Sequence, residues 1–253
     1  MQLAHSGFFH PQDLIMSSLV ETIAKQAQLT FSKSITDESF IDCLTKLIRN
    51  VSRIRATDLK FNRDTLRTAN SENATKRSAP VTYIEVKENQ TFSMGIFILK
   101  NGTRIPLHDH PGMHGVLKVI LGTVKITSYS PVSNVPGDIE IPQDIRNKVK
   151  ASQLDSLVPV EVHMSTNVTE KEEPCVLRPK EGNYHEICAV GGVAAFLDIL
   201  APPYDLVERD CHYYNALESK EPAAKCKIWL CPKPPPPDFW CDSAPYTGPK
   251  ISL

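Results

Sequence analysis

The chain has 253 residues, 41% of them hydrophobic and 23% charged, with a formal net charge of -1. That is enough apolar material for the core of one large domain. A nearly neutral chain carries no basic field to hold nucleic acid or an anionic membrane surface, and no apolar run approaches the ~20 residues of a spanning helix.

A soluble protein with no nucleic-acid or membrane partner is therefore expected. The opening stretch "AHSGFFHPQD", with Asp13 close behind, lacks both a signal-peptide pattern and Arg-rich transit character, so a cytoplasmic location with nuclear access is predicted. The seven cysteines include no Cys-x-x-Cys pair and are odd in number, which argues against a disulfide framework.

From Leu14 to Phe31, "LIMSSLVETIAKQAQLTF" sets Leu19, Ile23 and Ala27 at helical spacing, and "DESFIDCLTKLIRNVSRIR" does the same with Phe40, Leu44, Leu47, Val51 and Ile54. Two amphipathic helices are predicted, packing on the downstream part of the chain, with a partner-binding face as the alternative. The polar run from Asn62 to Ala79 has no periodicity and reads as a loop. Residues 1–79 are thus expected to form a helical segment and loop that pack on a second unit, residues 80–253.

After Pro80 the texture turns to short alternating segments, "VTYIEV", "TFSMGIFIL", "HGVLKVILGTVKITSY", "PCVLRP", "EICAV" and "AAFLDIL", separated by turns such as "KNG" and "VGG". A mainly β sandwich or barrel is predicted. Pro131 to Glu173 is polar and less regular and reads as a long excursion with a few strands of its own. The run "PKPPPP", Pro232 to Pro237, reads as a polyproline II spacer within a surface tail.

Three of the eight histidines fall in "PLHDHPGMHG". In a strand, residues two apart share a face, so His108 and His110 can converge on one ion while Asp109 points away. A lone His-x-His is weak, but Gly102 precedes His108 by six residues and Gly122 closes the next strand. Further on, "LRPKEGNYHEI" gives Pro-x-x-Gly-x-x-His at Pro179, Gly182 and His185. His114 reads as a core histidine, and His5, His10 and His163 as surface residues. In "DILAPPYDLVERDCHYY", Cys211 and Tyr213 share a face if the segment is extended, although on composition alone a buried strand with incidental Cys and aromatics is the better explanation.

The two histidine stretches, in this order, resemble the paired motifs of the cupins. Over Pro80 to Leu200 the resemblance implies a double-stranded β-helix, or jelly-roll, barrel with a metal inside its mouth. The carboxylate that most metal cupins add after the second histidine is missing, and Gly115 stands at its place. Three neutral imidazoles leave a divalent ion its full charge and about three open positions, an attractive site for a thiolate. A zinc or manganese cupin enzyme and a non-catalytic cupin-like binding protein remain the alternatives.

"PLHDHPGMHGVLKVILGTV", "AFLDILAPPYD", "RDCHYY", "DFWC", "PYTGPK" and "IAKQAQLTF" together are similar to the cysteamine dioxygenase and plant cysteine oxidase family of cupins. The resemblance implies Fe(II) held by His108, His110 and His185, O2 as co-substrate, and a Cys211–Tyr213 thioether cofactor. It implies Asp198 and Tyr204 at the active-site mouth. The implied substrates are cysteamine, giving hypotaurine, and proteins or peptides with an N-terminal cysteine, giving the sulfinic acid that feeds an oxygen-sensing N-degron pathway. A monomer is implied as well.

Overall fold

The computed structural model describes residues 17–61, 78–132, 139–205 and 207–253. Two helices come first, α1 (Leu19–Phe31) and α2 (Phe40–Ser52). Ser18 is extended and its Oγ accepts the Glu21 N–H at 3.2 Å, a cap worth about 1 kcal/mol. The helix expected from Leu14 therefore starts at Leu19; residues 14–16 lie outside the described residues, as does most of the loop expected at Asn62 to Ala79. In α2 the buried residues are Phe40, Leu44, Leu47 and Val51, one stripe at helical spacing. Among the described residues no helix is long and apolar enough to cross a membrane.

The strands come next, as β1 (Val81–Glu88), β2 (Ser93–Leu99), β3 (Arg104–His108), β4 (His114–Leu121), β5 (Thr123–Pro131) and β6 (Val158–Thr169). The remainder are β7 (Cys175–Leu177), β8 (Tyr184–Ala189), β9 (Ala194–Ala201), β10 (Tyr213–Glu218), β11 (Ile228–Lys233) and β12 (Cys241–Ser243). One sheet runs β12-β1-β2-β9-β4-β7, and the other, β10-β11-β6-β5-β8-β3, closes on itself where Tyr213 pairs with His108. The two sheets form a jelly-roll barrel, mainly β, with two helices at its N-terminal end.

Alternation decides the layers. Ile84, Met94, Ile96, Ile98, Leu197 and Ile199 face outward from the first sheet and share a core with Val20, Ile23, Leu44 and Leu47 of the helices. Each such side chain contributes roughly 1.5–3 kcal/mol on burial. The inner face, with Leu99, Leu117, Val119 and Phe196, meets Ile105, Val124, Ile126 and Ile187 of the second sheet. Strand β9, "AAFLDILA", is buried along its whole length because both faces are covered, so its one acid, Asp198, is 7% exposed.

One sequence expectation holds and another changes. The excursion after Pro131 has, as expected, a strand of its own: β6, twelve residues long and paired along β5. The proline run is no free tail: Pro232 and Lys233 pair with Tyr214 and Tyr213 as the end of β11, Pro236 is buried, and the chain returns to pair Cys241–Ser243 in parallel with β1. The reason is the apolar flank, since Trp229, Leu230 and Cys231 are buried and draw the run into the barrel wall.

Candidate metal centre

Strand β3 ends at His108, which pairs directly with His185 on β8. His110 lies just past the strand, before a turn in which Gly112 adopts φ 69°, a conformation that favours glycine. The three imidazoles converge, with ligand nitrogens all within 4.8 Å of one another and His110 Nε2 3.0 Å from His185 Nε2. Two metal–nitrogen bonds of about 2.1 Å at a right angle span about 3.0 Å, so the pair fits adjacent positions on one ion.

Hydrogen bonds aim two of the rings. His108 Nδ1–H donates to the Pro106 carbonyl at 2.8 Å, which leaves Nε2 as the inward lone pair. Tyr204 Oη lies 2.6 Å from the Asp109 carbonyl and 2.7 Å from His110 Nδ1. A carbonyl only accepts, so the phenol proton goes there and the phenol oxygen accepts His110 Nδ1–H. His110 therefore also turns a bare Nε2 inward. Exposures of 7%, 2% and 5% for His108, His110 and His185 strip them of water. Burial lowers the basicity of all three, and mutual repulsion lowers His110 and His185 further, so each is a neutral ligand at neutral pH.

Among the described residues no carboxylate joins the cluster. At Gly115 a Cβ would meet Leu177 Cγ at 2.8 Å and Leu200 Cδ2 at 3.0 Å, so no side chain fits there unless its neighbours move.

The histidines line a cavity of about 190 Å³ whose walls include Asp198, Tyr204, Cys211, Tyr213 and Phe239. All the residues that the sequence singles out around the metal thus lie in one cavity. Burial pushes the Asp198 carboxyl up to about 7, offset in part by the Ile199 N–H. Cys211 sits beside the Tyr204 and Tyr213 hydroxyls, and burial pushes its thiol up to about 11. A second cavity, about 400 Å³, opens between β4, β6 and β7, and it also touches His185.

His114 stays outside the cluster and packs edge-on against Phe40 of α2 at 5.3 Å. His163 is exposed on β6, and His5 and His10 lie outside the described residues.

Two positioning residues escaped the sequence. Asp109 is 6% exposed; its carboxylate accepts His212 N–H and Tyr214 Oη–H, each at 2.8 Å, and its own N–H donates to the His212 carbonyl. It points away from the cavity, as alternation requires, and so fastens the segment carrying Cys211 and Tyr213 to the strand carrying His108. Asn183 donates to the His110 carbonyl at 2.8 Å and accepts the His110 N–H at 3.1 Å. Nothing in the local sequence signals either bond.

The PCO_ADO family model matches residues 51–251. The 2-aminoethanethiol dioxygenase of Mus musculus is 40% identical over 93% of this chain and 97% of its own length, and that of Homo sapiens is 38% identical over the same shares. Plant cysteine oxidase 1 of Arabidopsis thaliana is 30% identical over 72% of this chain and 62% of its own. A cupin superfamily protein from Desulfitobacterium hafniense overlays 50% of this chain and 81% of its own at a TM-score of 0.31 and 10% identity.

Proposed function

The chain belongs to the PCO_ADO family of thiol dioxygenases, and we propose that it uses Fe(II), held by His108, His110 and His185, to oxidise 2-aminothiols. The observation that carries this reading is the donor set: three buried, neutral imidazoles with no carboxylate among them. Such a set leaves the ion's charge uncompensated and favours an anionic sulfur ligand. When bound, the ion lowers the pKa of a coordinating thiol and supplies the redox chemistry toward O2.

Around it, the chain's own groups have separate tasks. Asp198, on the cavity wall, faces the substrate ammonium that a 2-aminothiol carries next to its sulfur. Tyr204 holds the His110 ring in its ligating tautomer. The Tyr213 hydroxyl donates a hydrogen bond toward the reacting oxygen. Phe97, Ile187 and Phe196 keep the cavity apolar and restrict water. In the net reaction two S–O bonds form and the O–O bond breaks; sulfur gives up the four electrons that O2 gains, and the thiol becomes a sulfinic acid.

Cysteamine would give hypotaurine, and an N-terminal cysteine its sulfinic acid, the modification that feeds an N-degron pathway. The Cys211 thiol lies in hydrogen-bonding reach of the Tyr213 hydroxyl, and a thioether between the two side chains would form with loss of two hydrogens to an oxidant such as O2. Intact mass lighter by two hydrogens, restored in Cys211→Ser, tests that bond.

To test the metal, the stripped protein is loaded separately with Fe(II), Zn(II) and Mn(II) and given cysteamine in air. Sulfinic product with Fe(II) alone is expected. No product with confirmed iron, together with another activity in the zinc or manganese form, overturns the assignment.

A further inference from the structure

The metal cavity does not end at the histidines. It continues into a trench of about 320 Å³, and the two share Phe97, Asp198, Leu200, Tyr204 and Cys241 in their walls. The trench floor is the inner face of the first sheet. Across that face Glu88 pairs with Ser93 and Ser93 with Leu200, Gly95 pairs with Asp198, and Tyr83 pairs with Phe97, which pairs with Phe196.

Glycine at 95 makes room for the floor. A Cβ there would collide with Tyr83 Cε2, so the Tyr83 ring occupies the space that a side chain would fill. Tyr83 and Phe97 lie 4.9 Å apart between ring centroids, and Phe97 stacks on Phe196 at 5.3 Å. An aromatic lane thus runs outward from the metal cavity.

Charge in this space has one sign. Among the described lining residues of the cavity and trench, the only carboxyls are those of Asp198 and Glu88, and no Lys or Arg lines either. Glu88 is exposed at the outer end, and it makes no ion pair among the described residues. Aromatic faces beside carboxylates are favourable surroundings for a Lys or Arg side chain.

Strand spacing sets the reach. Glu88 on β1 is two strands across from β9 and, being in register with Leu200, two residues along from Asp198, about 12 Å in all, while an extended peptide advances about 3.3 Å per residue. With its first residue beside Asp198, a peptide brings the side chain of its second or third residue to Glu88.

We propose that the trench is a subsite for the second and third residues of a substrate peptide beginning with cysteine, and that Glu88 selects a basic side chain there. This rests on the thiol dioxygenase reading above. Cysteamine, too short to reach Glu88, is indifferent to it.

The test uses three peptides that differ only at the second residue, Cys-Lys, Cys-Gly and Cys-Glu, each extended by the same neutral sequence. Sulfinylation rates are measured in air and dissociation constants without oxygen, by calorimetry, for the Fe(II) protein and for Glu88→Gln and Glu88→Lys. Glu88 is exposed, so both variants are expected to fold. The parent protein should favour the Lys over the Glu peptide in kcat/KM by roughly fivefold to tenfold, an advantage that shrinks with added salt. Glu88→Gln should bring the ratio near one, Glu88→Lys should invert it, and cysteamine turnover should stay constant in all three. Equal use of the peptides by the parent, or an unchanged ratio in Glu88→Lys, overturns the subsite. Absence of any sulfinylation with the affinity order intact overturns the reaction and leaves the subsite standing.

Discussion

His108 and Tyr213 are direct partners across the seam that closes the second sheet, and that one pair joins a metal-facing histidine to the segment carrying Cys211. The seam has no long ladder of its own. Asp109 supplies what holds it, through bonds to His212 and Tyr214.

Removing one of those bonds should loosen the seam without touching the histidines. Tyr214→Phe strips the Asp109 carboxylate of a buried donor, a loss of about 2 kcal/mol. Thermal unfolding should report the destabilisation, and iron content should hold while kcat falls. Unchanged Tm and turnover would mean that Asp109 holds nothing of consequence.

Tyr204→Phe acts on the metal itself. Without the phenol oxygen, the His110 Nδ1–H loses its acceptor and the ring its preferred orientation. Loss of such a partner typically weakens metal affinity by about 10- to 100-fold. Competition against a chelator should reveal it, whereas equal affinity would show that His110 is oriented by other contacts.

A pH effect arises from Asp198, whose carboxyl is pushed up to about 7 by burial. In the metal-free protein the folded chain holds this proton where the unfolded chain has released it. Asp198's own contribution to stability must then fall as pH rises from the ordinary carboxylate range through about 7 and level off above, against the opposite slope of the three histidines whose basicity burial lowers. The difference in denaturant midpoint between the parent and Asp198→Asn, in which the histidine contributions cancel, should fall across that range. A difference that does not change with pH would place the titration elsewhere.

Gly115 offers a steric test. Gly115→Ala sets a methyl 2.8 Å from Leu177 Cγ, an overpacking that should cost about 1–3 kcal/mol. A drop in Tm is expected, and an unchanged Tm would show that Leu177 and Leu200 yield freely.

These residues also mark what the sequence makes legible. His108, His110 and His185 stand out because ligands need a particular spacing, and the alternating strands announce the barrel. Asp198, Tyr204, Cys211 and Tyr213 become visible only through likeness to a family, since nothing in their local spacing demands a site. Asp109 acts across 103 and 105 positions of chain, a relation that no local period encodes. The bounds of strand β6 hide for another reason: half of its residues are exposed and only two are buried, so it lacks the apolar alternation that betrays a half-buried strand. The proline run misleads because its composition favours an extended spacer while its neighbours Trp229 and Leu230 are core.

The central claim, dioxygenation of a thiol at the three-histidine site, is tested most directly with isotopically labelled O2. The Fe(II)-loaded protein and its His108→Ala variant receive cysteamine under the label, and the product mass is read. Both labelled atoms should appear on sulfur with the parent protein and none with the variant. Product carrying a single labelled atom, or equal product from His108→Ala, would contradict the account.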